Sequence, residues 1–231
     1  MRSMIAALAR ALAVALLCSS FTGSLAQAVN LVVDGDFENP NLGGPGYIVV
    51  TTGNTVGAWL VGNDPNYGTG NNVTLEHFPA LPQFFPWLTA HGGLQYLDLT
   101  GVANQPGSLI EQVVPTIPGQ FYVLSYWAGS ANSPNHTFPI TITALVIDHV
   151  SSIVLATDNF TTTASPAFQQ VIWELRALPA VQATSTQTRI RFRNSFSSQD
   201  ACLLDDIVFE RVLATPVDRT TWGEIKAHFA E

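Results

Sequence analysis

The chain has 231 residues, 47% of them hydrophobic and only 11% charged, with a formal net charge of −8. That length fits one large all-β domain plus extras, and the acidic balance excludes nucleic acid and anionic membrane surfaces as good partners. Thr, Ser, Asn, Gly and Pro fill the polar positions, and charge falls well below the usual ~25%. This is a composition suited to an extracellular β-sandwich.

The first 26 residues read as a secretory signal peptide: Arg2 and Arg10, an apolar run from Ala11 to Leu17, and a small-x-small site at Ser24-Leu25-Ala26. The run is too short for a membrane span of ~20 residues. Cleavage after Ala26 removes both arginines and leaves 9 − 2 = 7 basic against 17 acidic residues, a formal charge of −10. Cations and neutral polymers remain as partners. Cys202 would then be the sole cysteine, so no intrachain disulfide is available. It reads as a small buried hydrophobe beside the last strand.

Asn30 to Pro40 opens the domain, which is expected to span residues 30–212. Leu31, Val32 and Val33 lead into an Asp34-Gly35 turn, followed by Asp36, Phe37 and Glu38. A turn crowded with carboxylates is either a solvated loop or part of an oxygen cage for a hard cation such as Ca²⁺. A partner segment lies far downstream, where Asp205 and Asp206 interrupt the apolar run Leu203 to Phe209. Like charges at 4 Å cost ~1 kcal/mol per pair in water and ~4 at an effective dielectric of 20. Bringing Asp36, Glu38, Asp205 and Asp206 together therefore favours a structural Ca²⁺ that clasps the first turn to the last strand.

Between these ends the chain is strands and turns. Tyr47–Thr52, Gly57–Val61 and Asn72–Glu76 read as strands, with a polar loop at residues 63–72. From His77 to His91, Phe78, Phe84, Phe85 and Trp87 alternate with prolines. Proline forbids a central strand, so these aromatics form a loop over the core or a platform for a sugar ring. Strand parity then places Tyr96 and Asp98 opposite Leu97 and Leu99. Ser108–Val114 and Gln120–Trp127 follow, the latter burying Tyr122, Leu124 and Tyr126 and turning Trp127 outward. Residues 139–157 read as a hairpin around Asp148-His149. Phe168–Leu175, Thr188–Asn194 and Ala201–Val212 complete the set. Strands at short intervals without a helical period predict an all-β jelly-roll sandwich.

In Thr188–Asn194, alternation puts Ile190 and Phe192 inward and Arg189, Arg191 and Arg193 outward. Guanidinium forks fit carboxylates, either of an acidic sugar or of the protein's own Glu174 or Asp98. The tail, residues 213–231, begins as a linker and continues as a short helix, with Thr221 and Glu224 at capping-box spacing. It is a terminal helix or an attachment signal for the cell envelope.

The opening Asn30–Pro40, the His91–Gly101 stretch and the closing Asp205-Asp206 strand together resemble galactose-binding-like jelly rolls. Within these the chain is most similar to choice-of-anchor C proteins and to the plant cell-wall proteins of domain of unknown function 642. It is more distantly similar to carbohydrate-binding modules of families 4 and 22. The resemblance implies a structural calcium held by Glu38 and Asp206, with Asp36 and Asp205 beside them.

Metalloprotease, nucleophile-elbow and phosphate-loop motifs are missing, and the five histidines have no metal-ligand spacing. The expected function is therefore a secreted, non-catalytic, carbohydrate-binding protein of the cell envelope or matrix. A structural or adhesive surface protein is the alternative, and a glycoside hydrolase comes third. The expected ligand face gathers Tyr96, Asp98, Trp127 and Arg191 on one exposed sheet, with Trp87 on the nearby loop.

Overall fold

The computed structural model describes residues 28–77, 88–102, 105–131, 139–162, 170–196 and 201–213. The expected leader, residues 78–87 with Trp87, and the tail expected to form a short helix lie outside the described residues. Two antiparallel sheets face each other, as expected of a jelly-roll sandwich. The first has the order β1 (Gly46–Thr51), β4 (Asn72–His77), β5 (Gln95–Asp98), β13 (Cys202–Arg211), β7 (Phe121–Ala131) and β10 (Val171–Ala177), with β11 (Val181–Gln182) also paired to β7. The second runs β2 (Thr55–Val56), β3 (Trp59–Asn63), β6 (Ser108–Pro115), β12 (Gln187–Asn194), β8 (Ile140–Asp148) and β9 (Val154–Thr162). Among the described residues no helix is long and apolar enough to cross a membrane.

The period-2 pattern of each long strand decides which side chains enter the space between the sheets. On β7, Tyr122, Leu124, Tyr126 and Ala128 are buried in the core, while Val123, Ser125 and Trp127 point away. On β12, Ile190 and Phe192 are buried and the arginines point away. Rings interlock across the sandwich: Trp59 meets Phe37 at 6.1 Å and Phe192 at 6.0 Å, and Phe192 meets Tyr126 edge-on at 4.8 Å. Such aromatic packing contributes beyond its buried area. Cys202, at the first position of β13, is fully buried.

The first turn is fastened to the last strand by the chain itself. Asn30 Nδ2 donates to Ile207 O (3.1 Å), Phe209 N donates to Asn30 Oδ1 (2.9 Å), and Ile207 N donates to Gly35 O (2.8 Å). A Cβ on Gly35 would stand 2.1 Å from Ile207 O, so this approach requires glycine. Phe37 is driven into the core behind the turn, and Trp59 Nε1 donates to Asp34 O at 2.9 Å. On the other side, the β13–β7 register shifts between Asp205 and Val208, where Asp206 has φ 46°. A bulge of this kind re-aims a side chain that regular pairing would have fixed.

Candidate functional site

The turn and the bulge bring the expected acids to one end of the sandwich, around the Gly92-Gly93 loop that precedes β5. Glu38 Oε1 accepts from Leu94 N (2.6 Å) and Gln95 N (2.9 Å). Asp206 Oδ2 lies 2.6 Å from His91 Nδ1. Cβ atoms on Gly92 and Gly93 would fall 2.6 Å from Asp206 Oδ2 and 2.2 Å from Glu38 Oε1, so the two carboxylates press on adjacent glycines. Asp36 is exposed, and with Asp34 and Asp206 it lines a cavity of about 290 Å³.

Asp205 has a different place from its neighbour. It is fully buried; its Oδ2 accepts from His91 N (2.9 Å) and Gly92 N (3.1 Å), and its Oδ1 accepts from Asp206 N (2.8 Å). Both oxygens are engaged with backbone, so Asp205 braces the 91–92 loop. Burial, reinforced by the Asp206 charge, pushes its carboxyl up to about 7. Asp34 was passed over in the sequence because Asp-Gly reads as an ordinary turn. Its Oδ2 is buried without a hydrogen-bond partner, and burial, with the charges of Asp36 and Glu38, raises its carboxyl to about 6.

The donor chemistry suits a hard cation: every free acceptor here is oxygen, and one is a buried orphan. Among the described residues, however, no three His, Cys, Asp or Glu side chains are already grouped as a metal cage. A Ca²⁺ held here would take Asp36, Glu38, Asp206 and the additional Asp34 as carboxylates. It would need backbone oxygens or a closer approach of the acids to fill its shell.

The expected four-residue sugar face does not form. Parity is right within each strand, but Arg191 belongs to β12 and so to the other sheet, whereas Tyr96, Asp98 and Trp127 lie on β5 and β7. Nor does outward mean exposed. Tyr96 is fully buried, because Leu88 and Ala90 pack with it and with Ala131, Leu203 and Trp173, and Asp98 is nearly so. Beneath that cover Tyr96 Oη donates to Glu76 Oε2 (2.8 Å), and Asp98 Oδ1 accepts from Thr100 N (2.8 Å) and Cys202 N (3.1 Å). Burial pushes both carboxyls up, Asp98 well above its ordinary value, and the Glu76 charge raises Asp98 further.

Trp127 keeps a half-buried place on the outer face. The exposed His91 ring stacks on it at 3.6 Å and 17°, and Trp173 meets His91 at 6.2 Å and 69°. Trp173 is oriented by its Nε1, which donates to Thr89 O at 3.1 Å. Leu175, directly across from Trp127 on β10, is 56% exposed. The result is a small aromatic-aliphatic surface whose histidine also touches the acidic end through Asp206. Neither His91 nor Trp173 stood out in the sequence. Only the fold of the loop before β5 brings them to Trp127.

The arginines pair inside the protein, but not with the acids expected. Arg191 Nε and Nη2 donate to Glu111 Oε2 (2.9 and 2.6 Å), and Arg193 Nη1 donates to Asp64 Oδ2 (2.7 Å). Glu174 pairs instead with Arg176, at 2.6 Å, and Asp98 is buried on the other sheet.

No family model matches the chain, and no curated protein matches it. Solved structures do. A family 61 carbohydrate-binding module in complex with β-1,4-galactotriose is 14% identical, with 80% of this chain and 99% of that one covered and a TM-score of 0.46. A putative sugar-binding protein from Bacteroides thetaiotaomicron is 10% identical over 80% and 100% of the two chains, TM-score 0.45. The first family 22 xylan-binding domain of Xyn10C from Paenibacillus barcinonensis is 12% identical over 74% and 98%, TM-score 0.39.

Proposed function

We propose that this protein binds carbohydrate without transforming it, at the cell envelope or in the extracellular matrix, through the Trp127 surface of the seven-stranded sheet. The observation that supports this is the cluster of Trp127, His91 and Trp173 outside the core, bordered by exposed Leu175. A pyranose ring presents an apolar C–H face and a polar rim. Flat π surfaces take the first, and His91 Nε2 and nearby backbone groups take the second. The kinship with choice-of-anchor C and domain-642 proteins, and the structural calcium, belong to this same reading. They rest on the Asn30–Pro40 and Asp205-Asp206 motifs.

A second reading, a structural or adhesive protein without a small ligand, is favoured by one observation: His91 already occupies one face of Trp127. A glycan array separates the two. Carbohydrate binding that persists after removal of residues 214–231 and is lost in Trp127→Ala supports the first reading. No retained glycan, with the protein folded, supports the second.

A further inference from the structure

The outer face of the six-stranded sheet carries two guanidiniums that share a single carboxylate. Of the three arginines on β12, Arg193 is held by Asp64 and lies 3.4 Å over the Tyr67 ring, and Arg191 is held by Glu111. Arg189 has only a long ion pair to that same Glu111. Its nearest carboxylate oxygen is Glu111 Oε1, 3.8 Å from Nε and beyond hydrogen-bond reach, on a carboxylate already engaged by Arg191. Arg189 Nε is buried without any hydrogen-bond partner. Two guanidiniums against one carboxylate leave a local charge of 2 − 1 = +1 in a chain of net charge −8.

One bond orients the group. Arg189 Nη2 lies 2.9 Å from His149 Nδ1. A guanidinium only donates, so Nδ1 accepts and the ring proton sits on Nε2. The Nη1 of Arg189 and the Nε2–H of His149 are then donors without a protein partner among the described residues. Val113 and Ile147 stand across from Arg189 on β6 and β8, and Val113 is 39% exposed.

We propose that Arg189 and His149 form a binding site for the carboxylate of an acidic sugar, a uronate carried on an otherwise neutral glycan. The planar guanidinium matches a carboxylate, and the exposed Val113 beside it accepts the C–H face of the ring. An acidic peptide or a polyuronate brings dense negative charge to an acidic protein and is repelled at long range. A single spaced uronate is not. The site lies on the sheet opposite Trp127, so it goes beyond the reading given above and stands or falls separately from it.

The test is calorimetric titration with a xylo-oligosaccharide carrying one glucuronic acid and with the same oligosaccharide after reduction of that carboxyl. The wild-type protein should bind the acid form at least ten-fold more tightly. Arg189→Gln should bring the ratio near one, and Arg189→Lys should keep part of it. The Arg189 Nε–H signal in ¹⁵N NMR should shift on binding the acid form alone, a readout needing no variant. Equal affinity for the two forms, a ratio retained in folded Arg189→Gln, or polyglutamate binding as tightly as the uronate would each overturn the proposal.

Discussion

Asp98 shows how a single position can be read correctly in one respect and wrongly in another. Strand parity put it opposite Leu97 and beside Tyr96, and it is there; parity contains no information about what folds back over the face. Leu88 and Ala90 pack over Tyr96, and Asp98 is buried on the same face, held by Thr100 N and Cys202 N. An acid whose folded pKa is raised contributes stability that is present below its unfolded pKa, 3.8, and lost as pH rises through the folded value. Asp98→Asn keeps an oxygen acceptor for Thr100 N and Cys202 N and removes the ionisation. The variant should melt above the wild type at pH 8, with a difference that shrinks towards pH 4. Each unit by which burial raises the carboxyl corresponds to about 1.4 kcal/mol, and thermal melts across that range measure it. Gly35 is a second single-residue case. The Cβ of Gly35→Ala would meet backbone rather than a movable side chain, so the substitution should cost about 1–3 kcal/mol, read by chemical denaturation.

At the scale of elements, the long strands were legible because their alternation is unbroken. Tyr122, Leu124 and Tyr126 on β7 and Ile190 and Phe192 on β12 are inside as expected. The sheet to which each strand belongs was not legible, because hydrophobic period fixes a face and not a neighbour. That is why Arg191 was placed beside Trp127 and is found beside Glu111. The bulge in β13 was hidden for a related reason: regular alternation would send Asp205 and Asp206 to opposite faces, and at the register shift both instead reach His91. Glu111 now appears as the carboxylate between two arginines of β12, at 2.6 Å from Arg191 and 3.8 Å from Arg189. Glu111→Gln should destabilise the domain by about 1–3 kcal/mol through two unneutralised guanidiniums, and high salt should reduce that loss in parallel denaturation curves.

Across the whole molecule, the first turn and the last strand form one unit through Asn30, Gly35 and Ile207, with four carboxylates around it: Asp34, Asp36, Glu38 and Asp206. The motif pair was readable at both ends of the sequence; the hydrogen bonds that already join the ends, and the buried oxygen of Asp34, were not. If a calcium ion completes this end, binding stabilises the folded state by mass action, by about 2.7 kcal/mol at a hundred times the dissociation constant. Protein stripped of metal should therefore melt higher with Ca²⁺ than with EDTA, and Asp206→Asn or Glu38→Gln should remove the difference. Identical melting curves in Ca²⁺ and EDTA would eliminate the ion and leave the hydrogen bonds as the whole of the clasp.

The Trp127 surface bears the functional account, and a direct measurement of it is calorimetric titration with the neutral glycan retained best on an array. Wild-type protein and a folded Trp127→Ala variant, with matching melting temperatures, are compared. The account predicts saturable binding by the wild type and a loss of about ten-fold or more in the variant, about 1.4 kcal/mol or more. Equal affinity in the two proteins would contradict it.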